Sequence, residues 1–385
     1  MSSKSILRSV VDLGPVTIGG VTVLLRPPRL ADGPSWRETA LAFTERLSPA
    51  FHRDDMDWES AHSPVIWVDT WRSALADARA GGVSYLLVRI DDDIERVVGQ
   101  FSMTGRDPRT GGAEISSWAV DVPSAVSGWA QLVTVLAAFE GNPAIPHALA
   151  PVAVSNVRAN RFCESMGWAQ LQTRRALRKY DGQISDHNMW VLANTAEYRD
   201  WVRQRLAEIP ATRTLLAPTE SRRPDAGYLA AWARFAAIRV RQRISATLRP
   251  APTESSLETS TTNGEVVHIA PAGRGQFRVA VAERTAGSID VYTDVGTSTT
   301  ELVPRFEPWV SRDAGACALS ALASHVAARP DGSRRTVVAV SGADGTLADQ
   351  LARRGFVDEG EAPATLGDGG TARRMWTLLA GPLPK

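Results

Sequence analysis

Three kinds of residue recur in this chain in a fixed order, and together they suit anion binding and proton transfer. The first is a carboxylate in an apolar stretch, Glu114 in Ala113-Glu114-Ile115 and Glu301 in Thr300-Glu301-Leu302. The second is a small-residue segment whose glycine follows that carboxylate by 14 positions. It reads Ala125-Val126-Ser127-Gly128-Trp129-Ala130 in one place and Arg312-Asp313-Ala314-Gly315-Ala316-Cys317 in the other. The third is a polar helix start, Asn156 with Ala159 behind it, matched less closely by Asp344 and Leu347. Gly167-Trp168 and Gly355-Phe356 close the two sets, 39 and 40 residues after their glycines. A carboxylate can take a proton from a reacting group. A strand leading through a small-residue turn into a helix offers orphan N–H groups and a positive dipole end to an anion. Gly128 and Ala130 leave space for a ligand that hugs the backbone, such as a pyrophosphate.

The elements around these residues follow from hydrophobic period and turn chemistry. Val16–Leu25 alternates like a strand, and a helix is expected from about Gly33 to Leu47, with Asp32 as N-cap and Pro34 in its first turn. Residues 48–66 read as irregular, Trp67–Ala80 as a helix, and Tyr85–Ile90 with Val97–Thr104 as a hairpin. A strand at Glu114–Val120, the turn at Ala125–Ala130 and a helix to Phe139 come next. Ala148–Val154 is a strand, and the short helix begun at Asn156 is stopped by Gly167. Leu171–Lys179 and Asn188–Ala193 pair as strands, and Thr195–Ile209 is a helix. In the second half a helix is expected over about 225–247 and a mobile Ser/Thr-rich loop over about 250–264. A hairpin, Gln276–Glu283 and Ser288–Asp294 with its turn at Thr285-Ala286-Gly287, leads into the second carboxylate. Four landmarks repeated in order and at matching spacing make the chain a tandem of two copies of one fold.

Composition narrows the function. The 385 residues suffice for two ordinary domains, and 43 basic against 42 acidic residues leave a net charge of +1. That balance argues against a nucleic-acid partner, which calls for a basic excess. Two cysteines, Cys163 and Cys317, suit small buried side chains and a reducing compartment. The six histidines are scattered without ligand spacing, so no metal is expected. Met1–Asp12 is too polar for a signal peptide, and no apolar run approaches the ~20 residues of a membrane span. A soluble cytoplasmic protein without a membrane partner is the expectation.

The order of strand, Gly128 turn, helix, strand and Asn156-x-x-Ala159-x-x-Phe162-Cys163-x-x-x-Gly167-Trp168 resembles the GCN5-related N-acetyltransferase (GNAT) superfamily. The family's turn is Gln/Arg-x-x-Gly-x-Gly/Ala; the first copy has Ala125 at its first position, and the second keeps Arg312 and Gly315. Cys163 stands where the family often has a tyrosine that protonates the leaving thiolate. Leu25-Arg26-Pro27-Pro28-Arg29 with Asp32, and Asp186-His187 later, resemble the branch that acetylates the N-terminal alanine of ribosomal proteins. This resemblance covers about residues 16–195. It implies an α/β (α+β) fold of two tandem domains, 1–209 and a degenerate 210–385, each a mixed, mostly antiparallel sheet flanked by helices. Mycothiol synthase is another tandem of this fold, with one copy carrying the chemistry.

The resemblance further implies acetyl-CoA as co-substrate and an amine as acceptor, a protein N-terminus or a small metabolite. The CoA would meet Val120, Val126, Ser127, Gly128, Trp129, Ala130, Asn156 and Ala159, or Arg312, Gly315 and Ala316 in the second copy. An oxyanion contact is expected on backbone near a bulge at Trp118–Val120 or Arg305–Glu307, and Pro304 suits such an irregularity. Glu114, Glu301 and His187 are the candidate bases. Against each stands a structural reading: Glu114 and Glu301 as salt-bridged strand residues, His187 with Asp186 as a pair closing the sheet edge, Asn156 as a plain N-cap. Trp36, Trp58 and Trp71 are either an apolar acceptor wall or core. A competing class is a catalytically inactive tandem scaffold or CoA-binding regulatory protein. A third reading, acetylation of an aminoglycoside, draws on the acidic run Asp54-Asp55-Met56-Asp57.

Overall fold

The computed structural model describes residues 13–53, 56–92, 94–105, 107, 110–141, 144–213, 226–234, 236, 255–273, 275–294, 299–329, 334–341, 344–362 and 373–380. The first half contains β1 (Val16–Ile18), β2 (Val21–Arg26), α1 (Gly33–Ala42), α2 (Thr44–Phe51), α3 (Trp58–Ala61), α4 (Pro64–Arg79), β3 (Val83–Asp91) and β4 (Ile94–Thr104). It continues with β5 (Ala113–Ala119), α5 (Ser124–Phe139), β6 (His147–Ala153), α6 (Val157–Ser165), β7 (Ala169–Tyr180), β8 (Gln183–Ala193), α7 (Ala196–Glu208) and β9 (Ala211–Arg213). After helix α8 (226–234) come β10 (Leu257–Ser260), β11 (Val266–Gly273), β12 (Gln276–Val281), β13 (Arg284–Asp294), β14 (Thr299–Phe306) and α9 (Arg312–Ala327). β15 (Arg335–Ser341), α10 (Gly345–Arg353), β16 (Val357–Glu361) and β17 (Arg373–Leu379) complete it.

Two mixed sheets result, ordered β7-β8-β6-β5-β4-β3-β2-β1-β9 and β10-β11-β12-β13-β14-β15-β17-β16. The parallel pairs are β5 with β6 and β14 with β15, each joined by a helical crossover, α5 or α9, as parallel neighbours require. In both sheets the last strand inserts between the crossover strand and its predecessor, giving β6-β8-β7 and β15-β17-β16. The tandem of two copies read from the spacing is therefore a repeat of topology.

Alternation along β3 shows why the first sheet is covered on both faces. Tyr85 and Leu87 point to the cluster around α5, while Leu86 and Val88 point to Trp36 of α1, Trp67 of α4 and Tyr228 of α8. Every residue of α5 from Trp129 to Phe139 is buried, as an almost wholly apolar helix demands. In the second half the core gathers β11–β15 around α9, with Leu347 and Leu351 of α10.

Several expected boundaries move. Residues 48–66 carry the end of α2, all of α3 and the start of α4, because Asp57 caps α3 by accepting from Ser60 N and Pro64 sits in the first turn of α4. Asp32 makes no cap bond to α1; its carboxylate accepts from Arg29 N at 2.6 Å and from the buried Arg26 at 2.7 Å through each oxygen. Arg26 also reaches Glu95 at 2.7 Å, so this buried network, and no cap, fixes the turn from β2 into α1. The segment Ala125–Ala130 is already inside α5, and Arg312–Cys317 inside α9; the turns precede them. Leu257–Ser260 is an edge strand paired with Val266–Ile269 where a loop is expected, since a threonine-rich run also suits a strand. The hairpin turn falls at Ala282-Glu283, both in the left-handed region. The expected helix beyond 236 and the loop start at 250–254 lie outside the described residues. Among those residues no helix is long and apolar enough to cross a membrane, and no three His, Cys, Asp or Glu side chains group as metal ligands.

Candidate active site

Pairing between β5 and β6 stops at Ala113↔Ala148 and Glu114↔Leu149, and beyond it the two strands part. β4 stays paired to β5 through Ala119, so only the β6 side of β5 opens. Val120 N donates to Val98 O at 2.9 Å, toward β4. By alternation the N–H groups of Ser117 and Ala119 face the opening. The register along β5 is unbroken, so the expected bulge at Trp118–Val120 is absent; the irregularity lies one strand over, at Leu87/Val88 opposite β4.

The opening leads to the start of α5. Its N-cap is Pro123, which has no side-chain acceptor; Val126 N and Ser127 N both turn to Pro123 O, at 3.0 and 3.3 Å. The first N–H groups of α5 are therefore not consumed by a capping side chain. Val120, Val126, Trp129 and Ala130 are buried beneath this start, whereas a Cβ on Gly128 would meet nothing within 4 Å. Across the opening, Asn156 caps α6 by accepting from Ala159 N at 3.2 Å. That is the plain N-cap geometry, and it fixes the second helix start on the far lip.

The second copy has the same topology with its opening closed. Ser311 caps α9 by accepting from Ala314 N at 3.2 Å. Arg312 spans to Asp344, the N-cap of α10, with a 3.0 Å ion pair between the two helix starts. The Phe306 ring lies over Gly315, so that a Cβ there would come within 3.0 Å of it. Asp313 puts a carboxylate in the first turn of α9, held by Thr262 N, Thr262 Oγ1 and Arg354. Just past β14, Glu307 N donates to Ala286 O at 2.9 Å, so that by alternation position 304 faces the opening. Pro304 has no N–H to present there. No bulge accompanies it; β13 and β14 stay in register from Gly287↔Phe306 to Asp294↔Thr299. A proline is accommodated because its missing donor faces no strand.

The two repeated carboxylates meet in one place. Glu114 and Glu301 both line a cavity of about 340 Å³ between the sheets, together with Arg174, Arg178 and Tyr292. Both oxygens of Glu114 accept from Arg178, at 2.5 and 2.6 Å. Glu301 is among the charged neighbours of Arg174. His187 is buried on β8, with Nδ1 2.8 Å from Ser185 O, and Asp186 instead accepts from Ala176 N. Burial, with smaller contributions from Arg178 and Arg335, holds His187 below the ordinary histidine value. The Asp186-His187 pair is thus not a base with its orienting carboxylate.

A second cavity, about 210 Å³, lies between α1–α4 and strands β4 and β5. Trp36, Trp58 and Trp118 wall it, Ser116 and Gln100 form its floor, and His62 enters from the turn after α3. Trp71 does not line it and packs against the core cluster of Trp36 and Trp67. The His62 ring sits 4.2 Å from Trp58 and 4.7 Å from Trp36 by ring centres. Its Nδ1 lies 2.7 Å from Trp58 O. Sequence reading passed over His62, although Trp58-x-x-x-His62 has one-turn helical spacing. The indole Nε1 of Trp36 is buried in this wall with no hydrogen-bond partner.

Residues 25–189 match the family model of an acetyltransferase (GNAT) domain. Among solved structures, the chain is similar to Mycobacterium smegmatis RimJ in complex with CoA-disulfide, at 21% identity and TM-score 0.45, over 52% of this chain and 96% of that one. It is similar also to ribosomal-protein-S5-alanine acetyltransferase from Vibrio fischeri, at 12% identity and TM-score 0.35, over 45% and 94%. No curated protein matches the chain in sequence.

Proposed function

With residues 25–189 an acetyltransferase domain of the GNAT superfamily, we propose that the chain transfers the acetyl group of acetyl-CoA to an amine at the opening between β5 and β6. The observation that carries this reading is the contrast between the two copies: among the described residues no side chain caps α5 or lies over Gly128, whereas the corresponding helix start in the second copy is covered by the protein's own side chains. In the first, the start of α5 suits the pyrophosphate, and the edge N–H groups of Ser117 and Ala119 suit the amide-bearing arm of CoA. In the second, the Ser311 cap, the Arg312–Asp344 pair, the Phe306 ring and Pro304 remove each of those features in turn. Asp313 adds like charge where a phosphate would sit. The half from about residue 210 onward is then a structural copy, and the first half carries the chemistry.

The acceptor enters through the aromatic cavity, whose lining residues Ser116 and Trp118 flank Ser117 on β5. The described lining includes one cation, Arg53, and no carboxylate. A polyamine or aminoglycoside, which needs anionic partners, fits this poorly. An amine on an apolar body fits well, whether a protein N-terminus with an apolar first side chain or a small aromatic amine.

Calorimetric titration of acetyl-CoA into the full chain tests the assignment. One equivalent should bind, Gly128→Glu should weaken binding at least tenfold, and Arg312→Gln should leave it unchanged. Two equivalents, or loss of binding in Arg312→Gln alone, would move the site to the second copy.

A further inference from the structure

We infer that His62 is the catalytic base, taking the amine proton on Nε2 in the aromatic cavity. The inference rests on acetyl transfer at the first opening and names a residue for a step that reading leaves unassigned. Nδ1 of His62 faces the carbonyl oxygen of Trp58 at 2.7 Å. A carbonyl only accepts, so Nδ1 carries the ring's proton and Nε2 keeps its lone pair. The ring itself lines the cavity, held between Trp36 and Trp58. Tautomer, orientation and access are thereby all fixed by the fold of α3 and α1.

The alternatives lack this combination. Glu114 has both oxygens on Arg178, and His187 lies on β8 beside Arg174 and near Arg178 and Arg335. Among the described residues the charged groups around His62 are few. Arg37 of α1 donates to His62 O at 3.0 Å and pairs with Glu59 of α3, Asp57 caps α3, and Arg53 lies at the cavity edge. From β4 and β5 the cavity receives Gln100, Ser116 and Trp118, none charged. Burial, opposed by the Trp58 contact and aided by Arg37, keeps the ring below the ordinary histidine value, so it is neutral at pH 7.

In the reaction the amine nitrogen forms a bond to the thioester carbonyl carbon and the C–S bond breaks. The amine N–H proton passes to Nε2. It is then released to the departing thiolate, directly or through solvent, so that CoA leaves as the thiol and His62 returns to its neutral tautomer. No tyrosine is needed at the position of Cys163.

The test compares the full-length wild type with His62→Asn, which keeps an N–H for the Trp58 carbonyl and deletes Nε2. Initial rates are followed by release of the CoA thiol, with 2-phenylethylamine as acceptor, from pH 5 to 9. The ratio of wild-type to variant rates cancels the titration of the amine itself. A ratio of about 100 or more above pH 7, collapsing toward one as the pH falls, supports the assignment. Acetyl-CoA binding should be equal in the two proteins. A ratio below about three at every pH, with wild type active, overturns the role of His62 and leaves the transferase reading intact. Independently of turnover, nitrogen-15 spectra of the wild type should show His62 as the Nδ1–H tautomer, shifting when 2-phenylethylamine is added. An Nε2–H tautomer, or no shift, overturns it. A wild type that neither binds acetyl-CoA nor acetylates removes the transferase reading, and this role with it.

Discussion

The carboxylate of Glu359, in the second sheet, accepts a hydrogen bond from the backbone N–H of Arg175, in the first, at 3.0 Å across 184 residues of chain. The same carboxylate holds Arg335 at 2.6 Å and 3.1 Å and accepts from Thr377 Oγ1 at 2.8 Å. Arg335 completes the link by donating to the Arg175 carbonyl. Both charged side chains are almost fully buried, at 0% and 2% exposure. The junction between the copies is therefore polar: both terminal nitrogens of Arg335 are engaged while its Nε is buried without a partner, and the cost of the pair falls on whichever side chain is left alone.

Glu359→Ala strands the Arg335 guanidinium in the interior and should cost about 3–5 kcal/mol. Urea unfolding of the full chain measures it. A loss below about 1 kcal/mol would mean that water reaches Arg335 and that the junction is looser than its geometry.

How far the sequence reached is visible in particular residues. Glu114 and Glu301 were legible as equivalents, and the matching strand orders bear the repeat out. That both line one cavity was not legible, since it depends on how two sheets meet and not on any spacing along the chain. The segment Ala125–Ala130 read as a turn because Gly128 breaks helical propensity by ~1 kcal/mol, yet burial of α5 overrides that preference. His62 was hidden for a related reason. Residues 48–66 read as irregular, so the one-turn spacing of Trp58 and His62 fell outside any expected helix, whereas the structure places it at α3.

Gly33 shows how tightly α8 is seated on the first half. A Cβ at Gly33 would meet the Tyr228 ring at 2.1 Å and the Trp67 ring at 2.6 Å. Both rings are buried, so neither can swing aside cheaply. Gly33→Ala should cost about 1–3 kcal/mol through overpacking, despite alanine's better helix propensity. The double variant Gly33→Ala, Tyr228→Leu should recover part of that loss in thermal unfolding. If Gly33→Ala instead stabilises the chain, α8 does not rest where Tyr228 places it.

Three histidines give the fold a pH dependence of definite sign. Burial is the largest cause in each case, and it lowers the pKa of His62, His147 and His187 below the ordinary value of 6.5. Between the folded and unfolded values the unfolded chain binds more protons, so stability rises with pH there. Their contribution is complete above about 6.5 and is lost as the pH drops through the folded values. Urea unfolding at pH 7.5 should therefore show a higher midpoint than at pH 5.5. An equal or higher midpoint at pH 5.5 would place these rings in contact with solvent or with an acidic partner.

The two copies differ at one backbone donor that can be exchanged between them. Ser117 and Pro304 each lie three residues after their glutamate, and both positions face an opening rather than a neighbouring strand. The ladder to β4 does not use the Ser117 N–H, and position 304 accepts proline without a break in register. Ser117→Pro should thus leave folding nearly unchanged while removing one N–H from the edge assigned to CoA. Losing a single neutral hydrogen bond is worth about 1 kcal/mol, or roughly a fivefold weaker dissociation constant for acetyl-CoA. The thermal midpoint serves as the control. Unchanged affinity with an intact fold would mean that the ligand arm does not lie along β5, whereas a collapsed fold would show that the Ser117 N–H is spent within the protein.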